Sequence, residues 1–353
     1  QAEMLSVMAQ RMYSSTTAFP LLAIPFFILA GTLMNAGGMT QRIFRFAQCL
    51  VGHIKGGLGH VNVLGSMIFA GMSGAAVADA MGLGTVEIAA MLKAGYDRRF
   101  SAAITAASST IGPIIPPSIP FVIYGSITGT SVGRLFLGGF IPGILMGVAQ
   151  MITVYIIAGR RGYPREERAT LRALLTSALD GVAALATPAI IIGGILGGIF
   201  TPTEASVAAS VYALILGMLV YREIGISDLP RILWETLEHT IRVMFIISAA
   251  GFFGWLLLYL RIPDAMIQGI LALSTNPWVI LLIINVILLV LGCFMEGIAI
   301  MLLTIPVFVP LIVKVGIDPV HFGVVMTLNL MIGLLTPPVG MALYAVASVG
   351  RVP

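Results

Sequence analysis

The sequence predicts an all-helical, polytopic membrane protein built from two inverted repeats, each a re-entrant helical hairpin followed by a discontinuous helix. Three observations carry that prediction: the composition, an ungapped internal repeat, and the unequal distribution of basic residues among the loops. The 353 residues are 58% apolar and 10% charged, against about 25% charged for an average soluble chain. Charge-free stretches such as 12–41, 101–133, 135–159 and 265–295 match or exceed the about 20 residues that a helix needs to cross a bilayer. This composition excludes a soluble enzyme, a nucleic-acid binder and a disordered chain. The runs are solidly apolar rather than alternating, which argues against a barrel. With 40 Gly and 19 Pro, a helical membrane protein is expected to have broken helices and close helix packing.

The repeat has an offset of 221 residues. Gly71 matches Gly292, and Lys93-Ala94-Gly95-Tyr96-Asp97 matches Lys314-Val315-Gly316-Ile317-Asp318. Ile111-Gly112 matches Ile332-Gly333, and Pro116-Pro117 matches Pro337-Pro338. In each copy an apolar arm runs to a Gly-containing interruption and a second arm returns to the K-x-G-x-D loop. Arms this short suit a hairpin that enters and leaves on one side, over 58–94 and 277–313. The discontinuous helices are expected over 100–126 and 320–350. There the Pro pairs remove N–H donors, and the freed carbonyls must face protein, water or an ion. The remaining spans are expected at 17–36, 134–158, 180–200, 204–221 and 241–261. Amphipathic arms are expected over 42–55 and 222–240, with a solvated connector over 160–172.

This layout puts fifteen of the 19 basic residues on one side, leaving Arg11, Arg134, Arg261 and Lys314 on the other. The rich side is expected to be cytoplasmic. It follows that the two hairpin mouths face opposite sides, so the repeats are inverted, as in secondary transporters. The units are 1–57, first scaffold helix and arm; 58–130, first transport half; 131–260, connecting and scaffold helices; and 261–353, second transport half.

The breaks are rich in oxygen donors. Unwound carbonyls and hydroxyls suit sodium. One site is expected from Ser73, Gly74, Ser108, Gly112 and Pro116, and another from Met295, Glu296, Gly333, Thr336 and Pro337. Half-helix N-termini suit a carboxylate, with Ser73, Ser108, Ser109, Thr110 and Asn329 as the candidate substrate contacts. Asp79, Glu87, Glu204 and Glu296 lie in or beside apolar runs. Glu204 follows Thr201-Pro202-Thr203 and reads as a helix cap; Asp79 either orders the hairpin tip or serves coupling. Cys49 and Cys293 read as packing residues, and the four His are scattered without metal-ligand spacing. No phosphate-binding Gly-rich loop is present, so no ATP motor is expected.

The stretches Phe69-Ala70-Gly71-Met72-Ser73-Gly74-Ala75-Ala76-Val77-Ala78-Asp79-Ala80 and Ser108-Ser109-Thr110-Ile111-Gly112-Pro113-Ile114-Ile115-Pro116-Pro117-Ser118 closely resemble the large membrane subunit of tripartite ATP-independent periplasmic (TRAP) transporters. Gly198-Ile199-Phe200-Thr201-Pro202-Thr203-Glu204-Ala205 and Leu335-Thr336-Pro337-Pro338-Val339-Gly340 are similar to that family too. The resemblance covers nearly the whole chain. It implies an ion-transporter-type elevator fold, not an enzyme, in the bacterial inner membrane. It implies sodium-coupled uptake of a small carboxylate, such as a C4-dicarboxylate or sialic acid, with a small membrane subunit and a periplasmic binding protein as partners. The family pattern also leads one to expect a further helix at either end. The alternative is a related dicarboxylate symporter that needs no binding protein.

Overall fold

The computed structural model describes residues 2–352, apart from the side chains at 2, 3 and 73; among the described residues there are helices and turns and no strand. The chain begins with α1 (Ala2–Ser14), a short 3-10 turn (Phe19–Leu22), α2 (Ala23–Ala36) and α3 (Met39–Val51). The first repeat comprises α4 (Gly57–Ser73), α5 (Ala76–Lys93), α6 (Arg98–Ser109) and α7 (Ile119–Thr128). Connecting helices follow: α8 (Val132–Arg161), α9 (Leu171–Leu196), α10 (Pro202–Ile215), α11 (Leu229–Tyr259) and α12 (Ile262–Leu273). The second repeat comprises α13 (Pro277–Gly292), α14 (Gly297–Lys314), α15 (Pro319–Gly333) and α16 (Met341–Gly350). Among the described residues, six helical segments are long and apolar enough to cross a membrane: 19–36, 132–161, 171–196, 202–220, 226–259 and 297–314.

The K-x-G-x-D motif builds the same local structure twice. Gly95 and Gly316 take φ of 85° and 77°, a conformation that glycine adopts without penalty. That turn lets Tyr96 N–H reach Met91 O at 3.0 Å and Ile317 N–H reach Ile312 O at 2.9 Å, closing each helix in the Schellman manner. The Asp then caps the next helix. Asp97 accepts from Phe100 N–H at 3.0 Å; Asp318 accepts from Val320 and His321 N–H at 2.8 and 3.0 Å.

Within the first hairpin the arms run antiparallel. Leu58 N–H donates to Tyr96 Oη at 3.3 Å, and a β-carbon on Gly65 would lie 3.1 Å from Glu87 Oε1. The first arm also runs alongside the broken helix: Asn62 meets Thr105, and Ser66 meets Ser108. In the second repeat the same relation recurs, with Asn285 against Asn329 and Gly292 against Gly333.

The second halves of the broken helices cross over. α7 packs on α14 and α15, with Tyr124 Oη donating to Pro319 O at 2.9 Å. α16 packs on α5 and α6, with Gly350 beside Ala102 and Ile88 and Arg98 donating to Arg351 O. The far end of each broken helix thus meets the beginning of the other, and the two repeats interlock head to tail.

A second group of helices packs around α2. Ser210 Oγ donates to Phe26 O at 2.7 Å, and Tyr212 Oη donates to Ala183 O at 2.9 Å, joining α10 to α2 and α9. Ser248 Oγ donates to Met12 O, joining α11 to α1. The connectors that charge placed on one side come together. Gln48 donates to Glu166 at 2.6 Å, Tyr96 Oη donates to Pro164 O at 3.0 Å, and the Tyr96 and Tyr163 rings stack at 4.6 Å. Burial there pushes the Tyr96 phenol up to about 12.

The structure differs from the sequence expectation in three respects. The arm over 222–240 and the span over 241–261 form one helix from Leu229, because no Gly or Pro interrupts the chain between Arg231 and Ala250. The connector over 160–172 is shorter, because the Thr170 hydroxyl caps α9 by accepting from Ala173 N–H. α1 and α12 had no counterpart in the sequence reading.

Candidate functional site

Each break lies against the tip of its own repeat's hairpin. In the first repeat Gly74 turns the tip with φ 64°, so that Ile119 N–H donates to Gly74 O at 3.4 Å. A β-carbon on Gly74 would lie 2.6 Å from Pro117 O. Behind the tip, the Asp79 carboxylate rests on Gly112, where a β-carbon would lie 2.1 Å from Oδ2. Pro116 contributes a carbonyl 3.7 Å from where a Gly71 β-carbon would be. Gly74, Asp79, Gly112 and Pro116 are therefore brought together. The Ser73 side chain lies outside the described residues.

Ser108 is fully buried and held from both sides. Its hydroxyl donates to Asn62 Oδ1 at 2.6 Å and accepts from Ser66 Oγ at 3.0 Å. Asn62 in turn donates to Thr105 at 2.7 Å. Ser109 and Thr110 donate to the Ala106 and Ala107 carbonyls, three residues back, as Ser and Thr in helices commonly do. The break also supports itself: Ser118 donates to Pro113 O and accepts from Phe121 N–H, capping α7. Gln150 of α8 donates to Ala107 O at 3.0 Å.

In the second repeat Val339 N–H donates to Cys293 O at 3.0 Å, joining break to tip. Gly292 and Gly333 meet backbone to backbone; a β-carbon on either would lie 2.8 Å from the other's Cα. Glu296 caps α14, with Oε2 accepting from Ala299 N–H at 3.0 Å. Thr336 donates to Ile332 O at 2.8 Å. Met295 is half-buried and Pro337 exposed. Asn329 donates to Asn285 at 2.7 Å. Both Pro–Pro bonds, 116–117 and 337–338, are cis.

Ser108 and Asn329 occupy equivalent positions of the repeat. Among the described residues no hydrogen bond links them; each is held by its own hairpin's first arm. Contact between the repeats near the breaks runs instead through Leu335, which packs against the cluster of Ala80, Ala102, Ala106 and Val346. Glu204 is the cap that the sequence suggested: its carboxylate accepts from Thr201 N–H at 2.8 Å and completes a capping box.

Sequence reasoning missed Asn62, Ser66, Thr105 and Asn285. The available signal was Asn62 and Ser66, four residues apart and so on one face of an otherwise apolar arm. Chemically, the breaks offer carbonyls, hydroxyls and half-helix ends within apolar surroundings. That set can hold a hard cation or an anionic solute. Among the described residues, no group of three or more His, Cys, Asp or Glu stands ready to hold a metal ion.

The model of the tripartite ATP-independent periplasmic transporter DctM component matches residues 1–353. The sialic acid TRAP transporter large permease protein SiaM of Vibrio cholerae is 50% identical, over 98% of this chain and 81% of that protein. The sialic acid TRAP transporter permease protein SiaT of Haemophilus influenzae is 46% identical, over 97% of this chain and 56% of that one. The C4-dicarboxylate TRAP transporter large permease protein DctM of Pseudomonas aeruginosa is 41% identical, over 98% and 81%.

Proposed function

The chain belongs to the DctM family of tripartite ATP-independent periplasmic transporters, a multi-pass inner-membrane permease rather than an enzyme, and from that premise we propose that it takes up a small organic acid coupled to sodium. The relatives' substrates support a carboxylate, with sialic acid the first to test. A periplasmic binding protein delivers the solute, and a small membrane subunit completes the complex.

The observation that carries the proposal is the pairing of each hairpin tip with its own break, Gly74 with Ile119 and Cys293 with Val339. At both places unwound backbone lies in apolar surroundings, the setting in which such backbone serves ions and solutes in transporters. Two or more sodium ions bind there, held mainly by carbonyls: at Gly74, Ser108, Gly112 and Pro116 with Ser73, and at Met295, Glu296, Gly333, Thr336 and Pro337. Ser108, Ser109, Thr110 and Asn329, with Ser73, face the solute once it is bound.

In this reading the hairpins are re-entrant and the repeats inverted, which the head-to-tail exchange of α7 and α16 supports. Helices α4–α7 and α13–α16 move as one body, and the group around α2 stays fixed. A Gly82 β-carbon would lie 3.5 Å from the Asn35 amide, across that boundary.

Uptake into proteoliposomes containing both membrane subunits tests the function. We expect sialic acid to accumulate only with a sodium gradient and added binding protein. An equal rate without sodium sinks the coupling, and an equal rate without the binding protein selects the direct symporter. The Asn35→Cys/Gly82→Cys pair should block uptake when cross-linked and restore it on reduction; undiminished transport in the cross-linked protein refutes the moving body.

A further inference from the structure

Glu87 lies midway along α5 and is 1% exposed. Both of its carboxyl oxygens are buried without a hydrogen-bond partner. The carboxyl faces Gly65 of α4, where a β-carbon would come within 3.1 Å of Oε1. The absent side chain at 65 is what makes room for it.

The charged and titratable groups on every packed element are few. On α5 itself, Asp79 adds a negative field from about two turns away, and Lys93 is exposed at the far end. On α4 there is His60, whose ring nitrogens are likewise buried without a partner. α6 offers Arg98 and Arg99, exposed at its start. α16 offers Tyr344 and, just beyond its end, Arg351, both exposed. On α3, Arg42 is engaged by Glu223 at 2.8 Å, Arg45 is exposed, and Cys49 is half-buried. Among the described residues, no cation pairs with Glu87.

An ionised carboxylate in such a place is strongly disfavoured, and a group so enclosed takes up a proton instead. A metal ion would need several oxygen donors around it. The polar side chains flanking Gly65 on α4 are already engaged, Asn62 with Thr105 and Ser108, and Ser66 with Ser108. We propose that Glu87 is a proton-binding site, a neutral carboxylic acid enclosed between the hairpin arms and carried with them. The proton comes from water as the arms close and returns to water only when they part. The equivalent position in the second repeat is Phe308, also 1% exposed, so the site belongs to the first repeat alone. This inference does not depend on sodium coupling and can fail or hold apart from it.

Infrared spectroscopy of the full chain in lipid nanodiscs at about neutral pH, where an exposed glutamate is ionised, tests it. With isotopically labelled glutamate, the protein should show a protonated-carboxyl stretch that shifts with the label, which excludes Asp79 as its source. Glu87→Gln should remove one carboxyl's share of that band. Absence of a label-sensitive band in the unsubstituted protein overturns the proposal, and this reading needs no variant to fold. A band of unchanged intensity in Glu87→Gln also overturns it, by placing the proton on another glutamate. If the Gln variant does not fold, Glu87→Met, apolar and of similar length, provides the same comparison.

Discussion

In the first repeat every residue from Ile111 to Pro120 is buried, while in the second Pro337 and Pro338 are exposed and Thr336 is half-buried. The helices around these breaks differ in the same sense. Asn62, Ser66, Asp79, Glu87 and Thr105 line the first hairpin and its broken helix. At the equivalent positions the second repeat has Ile283, Ile287, Ile300, Phe308 and Met326. The backbone course is shared, down to the glycine turn and the aspartate cap. One repeat closes its interior with a chain of hydrogen bonds, the other with apolar packing and a glycine–glycine contact. The repeat therefore specifies where the chain bends, and each copy is free to choose what fills the bend.

The largest expected effect separates the two close approaches. At Gly333 an added methyl meets the Gly292 backbone, which cannot step aside; at Gly112 it meets the end of the Asp79 side chain, which can. Gly333→Ala should cost about 3 kcal/mol and Gly112→Ala about 1 kcal/mol, on the scale of overpacked cores. Thermal melting in detergent measures both, and equal losses would break the comparison. Next come the polar contacts. Asn62→Leu leaves both Thr105 and Ser108 short of a partner and should cost about 2 kcal/mol; Asn329→Leu strands only Asn285 and should cost about 1 kcal/mol. A costlier Asn329→Leu would reverse the assignment of the polar interior to the first repeat. Smallest are the shared caps. Asp97→Ala and Asp318→Ala should each cost about 1 kcal/mol, and equally so. The Arg161–Asp97 approach at 3.8 Å is exposed and adds little. A clear inequality between the caps would show that the common frame is less common than its geometry.

The frame was legible in the sequence because glycine, proline and aspartate act locally. Gly95, Gly316, Asp97 and Asp318 specify a turn and a cap wherever they stand, so a fixed offset exposes them. Helix ends governed by an absence of breakers were less legible, as with α11, where amphipathicity from residue 222 suggested a separate arm. The polar ladder was half legible. Ser108 stood out beside the break, but its partner Asn62 is 46 residues away in the chain. Such a contact depends on two helices lying side by side, and no local pattern reports that. The exchange of α7 and α16 between repeats was illegible for the same reason.

That exchange also sets a timetable for synthesis. The contact between Arg98 and the carbonyl of Arg351 spans 253 residues. At about 5–20 residues per second, the first hairpin waits roughly 10–50 s before α16 exists to cover it. During that interval Asn62, Ser66, Thr105 and Ser108 already have partners within the repeat. The chain Asn62–Thr105–Ser108–Ser66 closes without help from any residue beyond Ser109. The first repeat can thus satisfy that part of its interior while still incomplete. The second repeat is made after the first, against neighbours already in place, and has no such need.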